Sequence, residues 1–214
     1  MNTITFSGVL PQVFSSNPPD RSAVWMQDIS FERGKSYLVE AESGRGKSTM
    51  CSYMTGYRHD YTGTIMFDQT DVRSFSRAQW TDIRRHVVSC LYQDLRLFPE
   101  LTVIENIEIK NRLTRHIDAA TISSWLEELD IAEKRDIPVR QLSVGQQQRV
   151  AIIRALCQPF SFLLADEPVS HLDDACARAA ARLITREASR QGAAVIATSI
   201  GRHLPLSYDK EIKL

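Results

Sequence analysis

Residues Ala41-Glu42-Ser43-Gly44-Arg45-Gly46-Lys47-Ser48-Thr49 lie between a short apolar strand signal at 36–40 and a helix signal at 47–56 that stops on a glycine. This loop has the parts a phosphate needs. Small residues let backbone N–H groups curl round an anion, and a helix N-terminus contributes roughly half a positive charge. A lysine reaches the terminal phosphates, and a serine hydroxyl takes a magnesium ion. Gly44, Gly46, Lys47 and Ser48 meet these needs, flanked by Ser43, Arg45 and Thr49. The strict pattern G-x-x-x-x-G-K-[ST] fails at its first position, where Ala41 stands. Alanine is the smallest replacement, and the loss is slight if that position has negative φ. An ordinary glycine loop is the bland alternative, so the rest of the chain has to decide.

Residues 162–168, Phe-Leu-Leu-Ala-Asp-Glu-Pro, read as a buried strand of the parallel-sheet kind that ends in two carboxylates. Asp166 at its C-terminal edge would hold Mg²⁺ through a water. Glu167, expected to point to the opposite side, would polarise an attacking water. A solvated acidic turn on an edge strand is the alternative, and it loses weight downstream of a phosphate loop. Residues 142–149, Leu-Ser-Val-Gly-Gln-Gln-Gln-Arg, place Ser143 and Gly145 at a helix start, a second anion-binding tip by the same dipole logic. Taken alone, that segment is a plain serine N-cap before a polar helix face.

Working outward, residues 4–14, 23–31 and 64–67 read as strands, and residues 15–20 as a loop. From about 74 to 159 the pattern is mostly helical, with apolar residues at helical spacing over 78–85, 103–115, 119–129 and 146–157. A helix over 175–191, a buried strand over 193–198 and the start of a last strand over 211–214 follow. The order predicts an α/β sheet interrupted by a helical lobe. The chain has 214 residues and a mass of 24.3 kDa, enough for one substantial domain. Twenty-six basic residues balance 26 acidic ones, so the basic excess of a phosphate-neutralising nucleic-acid binder is missing, and no nucleic-acid partner is expected. Cys51, Cys90, Cys157 and Cys176 have no metal-site spacing and read as reduced thiols of a cytosolic protein. Residues 1–20 lack the pattern of a signal peptide, and no apolar run approaches the roughly 18 residues of a membrane span.

Together these residues resemble the nucleotide-binding subunits of ATP-binding cassette (ABC) transporters, over nearly the whole chain and in the family's motif order. The loop at 41–49 resembles Walker A, and 162–167 resembles Walker B. Gln93 lies in a segment like the Q-loop, 142–146 is similar to the LSGGQ signature, and Ser170-His171-Leu172-Asp173 is similar to the D-loop. Residues 97–103 with Glu105-Asn106 resemble the compact subunits of the lipoprotein-release, macrolide-export and cell-division branch. The resemblance implies a P-loop NTPase fold: a RecA-like core at about 1–92 and 160–214, with an antiparallel β subdomain, and a helical subdomain inserted at about 93–159. It implies ATP and Mg²⁺ as ligands. Phe14 would stack on adenine, and Ser48, Asp166 and Gln93 would serve the metal. Two subunits, identical or not, would close head to tail over two ATP molecules. Ser143, Gly145 and Gln146 would then clasp the nucleotide on the partner, and Asp173 would cross the same interface. Gln93 would pass closure to an integral membrane permease, and Glu167 would drive hydrolysis. Such a subunit works in the cytoplasm on the inner face of the cell membrane.

Three positions depart from the family's pattern. Ala41 and Val144 each replace a glycine; the glycine used against phosphate remains as Gly145. Ser199 stands where the family's strand ends in a histidine that contacts the γ-phosphate, so Mg-ATP binding with slow hydrolysis is expected. His203, four residues on, would replace that histidine only if the chain folded back, and otherwise reads as a surface helix residue. A regulatory or degenerate partner module is the competing reading. Chromosome-maintenance ATPases need long coiled-coil arms that 93–142 is too short to supply, and the ribosome-acting relatives carry two cassettes in one chain.

Overall fold

The computed structural model describes residues 1–20 and 22–214. Two sheets organise it. An antiparallel sheet has the order β2-β1-β4-β5, from β1 (Thr3–Pro11), β2 (Asp28–Glu32), β4 (Tyr61–Phe67) and β5 (Thr70–Asp71). A parallel sheet has the order β6-β7-β8-β3-β9, from β3 (Ser36–Glu40), β6 (Val88–Leu91), β7 (Phe162–Asp166), β8 (Ala194–Ser199) and β9 (Lys210–Lys213). The helices are α1 (Lys47–Met54), α2 (Arg77–His86), α3 (Val103–Asn111), α4 (Ala119–Glu128), α5 (Val144–Leu156) and α6 (Asp174–Gln191). The architecture is the α/β P-loop arrangement expected from the sequence.

β7 and β8 are buried at every position, which is why they read as unbroken apolar runs. β1 and β2 alternate because only one face is covered. One apolar cluster joins the two sheets through Phe6, Trp25, Phe31, Tyr53 and Phe67. A second joins α3, α4 and α5 to α6 and one face of the parallel sheet, around Trp125, Val150, Leu163 and Leu183.

Several expectations are corrected. The helical block hides β6: four residues of Val-Ser-Cys-Leu carry too little periodicity to separate from helix, yet they pair in parallel with β7. The first strand stops at Pro11, and Gln12–Phe14 form a 3₁₀ turn. The second strand starts only at Asp28, because Met26 takes a left-handed φ of 60° that breaks the extended run before it. His203 lies in no helix; its ring faces Glu40 at 3.4 Å.

The Glu105-Asn106 pair has a local cause. Glu105 closes a capping box with Thr102. Asn106, fully buried, accepts from Phe98 N–H and donates to the carbonyls of Phe98, Leu101 and Thr102, so it holds the whole 98–102 loop.

Gly63 and Gly8 face each other where β1 shifts register against β4. Both have positive φ, 78° and 58°. A Cβ on Gly63 would stand 2.3 Å from the Gly8 carbonyl oxygen, whereas one on Gly8 meets open space. Gly63→Ala is therefore expected to lose on the order of 3 kcal/mol in urea unfolding, and Gly8→Ala only about 1 kcal/mol.

Candidate functional site

Strand order builds the site. β8 lies between β7 and β3, so the chain ends leaving all three strands meet at one edge, the crevice outside the carboxyl ends of a parallel sheet. Leaving β3, the chain makes the 41–46 loop and enters α1. Gly44 and Gly46 have φ of 81° and 99°, which turn the loop back on itself. Ala41 needs no positive φ, so the missing glycine costs nothing in backbone strain; its N–H donates to the Ser199 carbonyl at 3.1 Å. Among the described residues, the N–H groups of Gly44, Gly46, Lys47 and Ser48 make no hydrogen bond within the chain.

Lys47 is 5 % exposed. Its ammonium donates to the carbonyls of Ala41 and Glu42 at 2.9 and 3.1 Å and faces Glu167 Oε1 at 3.7 Å. Ser48 Oγ donates to Asp166 Oδ2 at 2.6 Å. Thr198 Oγ1 donates to Asp166 Oδ1 at 2.5 Å and accepts from Glu167 N–H at 3.2 Å. Gln93 Nε2 donates to Glu167 Oε2 at 3.3 Å.

The two carboxylates do not face opposite sides, as strand alternation implies. Glu167 takes a left-handed φ of 51° directly after β7, and this turns its side chain back toward Lys47 while Asp166 meets Ser48. Both carboxylates thus converge on the first turn of α1. Behind Asp166, burial pushes the Cys51 and Cys90 thiols up, so both stay neutral at physiological pH.

A cleft of about 300 Å³ is lined by Phe14, Ser43, Gly44, Gly46, Lys47, Ser48, Thr49, Gln93 and Glu167, together with Val13, Arg58 and Ile200. The structure thus brings together nine of the expected residues. Phe14 stands at its edge with Trp25, ring centroids 6.5 Å apart, and a Cβ on Gly46 would meet both rings at about 3 Å. Arg45 faces outward and pairs with Glu42 at 3.6 Å. Ser199 is buried, and its hydroxyl accepts from Gly201 N–H, so Ile200 rather than Ser199 lines the cleft.

Asp166 adjoins the cleft through Ser48, whereas Ser143, Gly145, Gln146 and Asp173 do not line it. Ser143 caps α5, and Gln146 closes the capping box from the third position. Val144 is helical and half exposed, so no positive φ opposes its branched side chain. Gly145 packs so closely on the His171 carbonyl that a Cβ would stand 2.7 Å from it. Asp173 caps α6 through Cys176 N–H at 2.8 Å, and that bond holds its carboxyl below the usual range.

Hard oxygens at Ser48 and Asp166, 2.6 Å apart with Gln93 lining the same recess, suit Mg²⁺, which keeps most of its waters and needs few protein ligands.

Comparison with known proteins agrees with this geometry. Residues 26–170, more than half of the chain, match the ABC transporter family. The chain belongs to that family. An uncharacterized ABC transporter ATP-binding protein of Mycobacterium tuberculosis is 33 % identical over 190 residues, 87 % of this chain and 57 % of that protein, so the chain spans little more than half the length of this curated relative. YclH of Bacillus subtilis, an uncharacterized ABC transporter ATP-binding protein, is 30 % identical over 87 % of the chain and 83 % of its own length. The lipoprotein-releasing system ATP-binding protein LolD of Shewanella denitrificans is 26 % identical over 95 % of the chain and 88 % of its own length. The cassette MJ0796, in a dimeric post-hydrolysis state bound to ADP and Pi, superposes with a TM-score of 0.74 at 26 % identity, covering 92 % of this chain and 87 % of that one.

Sequence reasoning missed Thr198, Gln148 and Trp25. Thr198 acts by register, opposite Asp166 across the β7–β8 pair, and nothing in its local sequence marks that. Trp25 supports the loop by donating from Nε1 to the Arg45 carbonyl at 3.0 Å.

Thr198→Val keeps the shape but leaves buried Asp166 one donor short. It is expected to destabilise the fold by about 1–3 kcal/mol in urea titration, and a loss below about 0.5 kcal/mol would contradict the bond's role.

Proposed function

We propose that this chain is the ATP-binding and ATP-hydrolysing subunit of an ABC transporter, working with a second cassette, identical or not, and an integral membrane permease. The observation that carries the reading is Lys47. Its buried ammonium stands 3.7 Å from Glu167 at the mouth of a loop where, among the described residues, the N–H groups of Gly44, Gly46, Lys47 and Ser48 have no partner. Such a site is short of an anion that accepts several N–H bonds at once, which is what a triphosphate provides.

In this reading Lys47 releases the Ala41 and Glu42 carbonyls and turns to the β- and γ-phosphates, while Gly44 to Ser48 cradle them with backbone N–H. Phe14 lies under the base. Ser48, Asp166 and Gln93 would hold Mg²⁺, which would neutralise phosphate charge. Glu167 takes a proton from the attacking water as its oxygen bonds to the γ-phosphorus and the bond to the ADP oxygen breaks. Ser143, Gly145 and Gln146 of the partner cassette close over the γ-phosphate, and Asp173 lines the same interface. The dimeric state of MJ0796 supports that assembly. We assign about 1–92 and 160–214 to the nucleotide-gripping core and about 93–159 to the helical lobe. Among the described residues no helix is long and apolar enough to cross a membrane. The proposed place of work is the cytoplasmic face, docked on the permease.

Ser199 favours slow turnover. Ser199 is buried and does not line the cleft, its hydroxyl oxygen accepts from Gly201 N–H, and the neighbouring apolar Ile200 lines the cleft instead, so the end of β8 offers the transferring phosphoryl group no side-chain donor within the cleft. Losing one such donor costs roughly 10²–10³ in rate. The same feature is the one observation for a second reading, a regulatory module that binds ATP and leaves hydrolysis to another chain.

Lys47→Ala is expected to weaken Mg-ATP binding, read by calorimetric titration, by at least about tenfold. Glu167→Gln is expected to lower kcat by about 10²-fold or more with ATP affinity unchanged. Retained turnover in Glu167→Gln removes Glu167 from the role of base. A wild type that binds ATP but turns over no faster than Glu167→Gln selects the regulatory module. Turnover is also expected to be well below that of a cassette carrying histidine at the end of β8, with or without the permease; equal rates in a side-by-side assay contradict the slowness.

A further inference from the structure

Gln148 sits in the second turn of α5, three residues beyond Gly145, and is 1 % exposed. A buried glutamine needs partners at both ends of its amide, and this one finds both on the turn after β7. Its Nε2 donates to the Glu167 carbonyl at 3.1 Å, and its Oε1 accepts from His171 N–H at 3.0 Å. One turn earlier on the same helix face, Gly145 meets the His171 carbonyl. Two successive turns of α5 therefore grip residues 167–171 directly.

The grip falls on a backbone that needs it. Glu167 has a left-handed φ, a conformation a side-chain-bearing residue keeps only where its surroundings over-determine it. Thr198 Oγ1 holds its N–H, and Gln148 and Ser170 hold its carbonyl. Ser170 belongs to the same turn and would move with it. Arg202 braces the far side, donating to the Leu172 carbonyl and to Asp174 Oδ1 at 2.7 Å. Of these contacts, only Gln148 ties Glu167 to the helix that begins at Ser143.

We infer that Gln148 is a positioning residue: it sets the backbone of Glu167 and couples the carboxylate's aim to the position of helix α5. The inference rests on Glu167 acting as the base. Gln148 touches no substrate atom. It converts a shift of the α5 tip, where the proposed partner-bound nucleotide would press, into a shift of the carboxylate that stands 3.7 Å from Lys47.

The test uses the full chain and Mg-ATP. Gln148→Met removes both hydrogen bonds with little change of volume. Gln148→Glu keeps the acceptor facing His171 N–H and removes the donor facing the Glu167 carbonyl. Both are expected to lower kcat by about tenfold or more while KM and the ATP dissociation constant stay within about twofold of wild type. In a Glu167→Gln background, Gln148→Met is expected to add no further loss, because the aim of an absent carboxylate no longer matters. Wild-type kcat in either single variant overturns the inference, and so does a loss in which affinity falls together with kcat, since that marks a structural role. An inactive Glu167→Gln beside a fully active Gln148→Met sinks the inference alone. An active Glu167→Gln sinks the reading of Glu167 on which it rests.

Discussion

Lys47 shares the first turn of α1 with two carboxylates, and the electrostatics of that turn govern what can enter it. One ammonium beside Glu167, with Asp166 on the neighbouring Ser48, leaves the turn with two carboxylates to one cation, at 4 % exposure for Asp166 and 5 % for Lys47. A bare triphosphate would meet net repulsion at short range in a poorly solvated site. In the proposed reading a divalent cation held at Ser48 and Asp166 would reverse that sign. The site would then take a magnesium–nucleotide complex rather than the free anion, with the loop's N–H groups as additional fixed positive charge.

The rest of the fold exists to hold that turn in place. β8 between β7 and β3 allows one side chain, Thr198, to bond the carboxylate of Asp166 and the backbone of Glu167 together. Trp25, in the turn before β2, braces the loop from the other side. α5 and the segment after β8 clamp the turn that carries Glu167. Each brace comes from a different stretch of chain, so the geometry depends on long-range packing and not on the loop sequence alone.

That division explains what could be read from the sequence. Local chemistry was legible: the glycines of 44–46, the apolar run ending in Asp166 and the serine cap at 143 announce themselves by residue type and spacing. Ala41 and Val144 each stand where the backbone needs no positive φ, so neither replacement of a glycine strains the chain. What escaped was tertiary. Four residues of β6 are a strand only because β7 lies beside them. Glu167 faces the same side as Asp166 only because the chain turns left-handed after β7, against the alternation that a strand implies. Thr198 and Gln148 look like filler in a strand and a helix, and acquire roles through register and helix packing.

The central claim is that the Gly44–Ser48 bend is a cradle and that Lys47 leaves its present carbonyl partners when the cradle fills. A crystal structure of the full chain with Mg²⁺ and a non-hydrolysable ATP analogue tests it most directly. The account requires the β- and γ-phosphates on the N–H groups of Gly44 to Ser48, with the Lys47 ammonium on phosphate oxygen. An analogue bound elsewhere, with Lys47 still on Ala41 and Glu42, would contradict it.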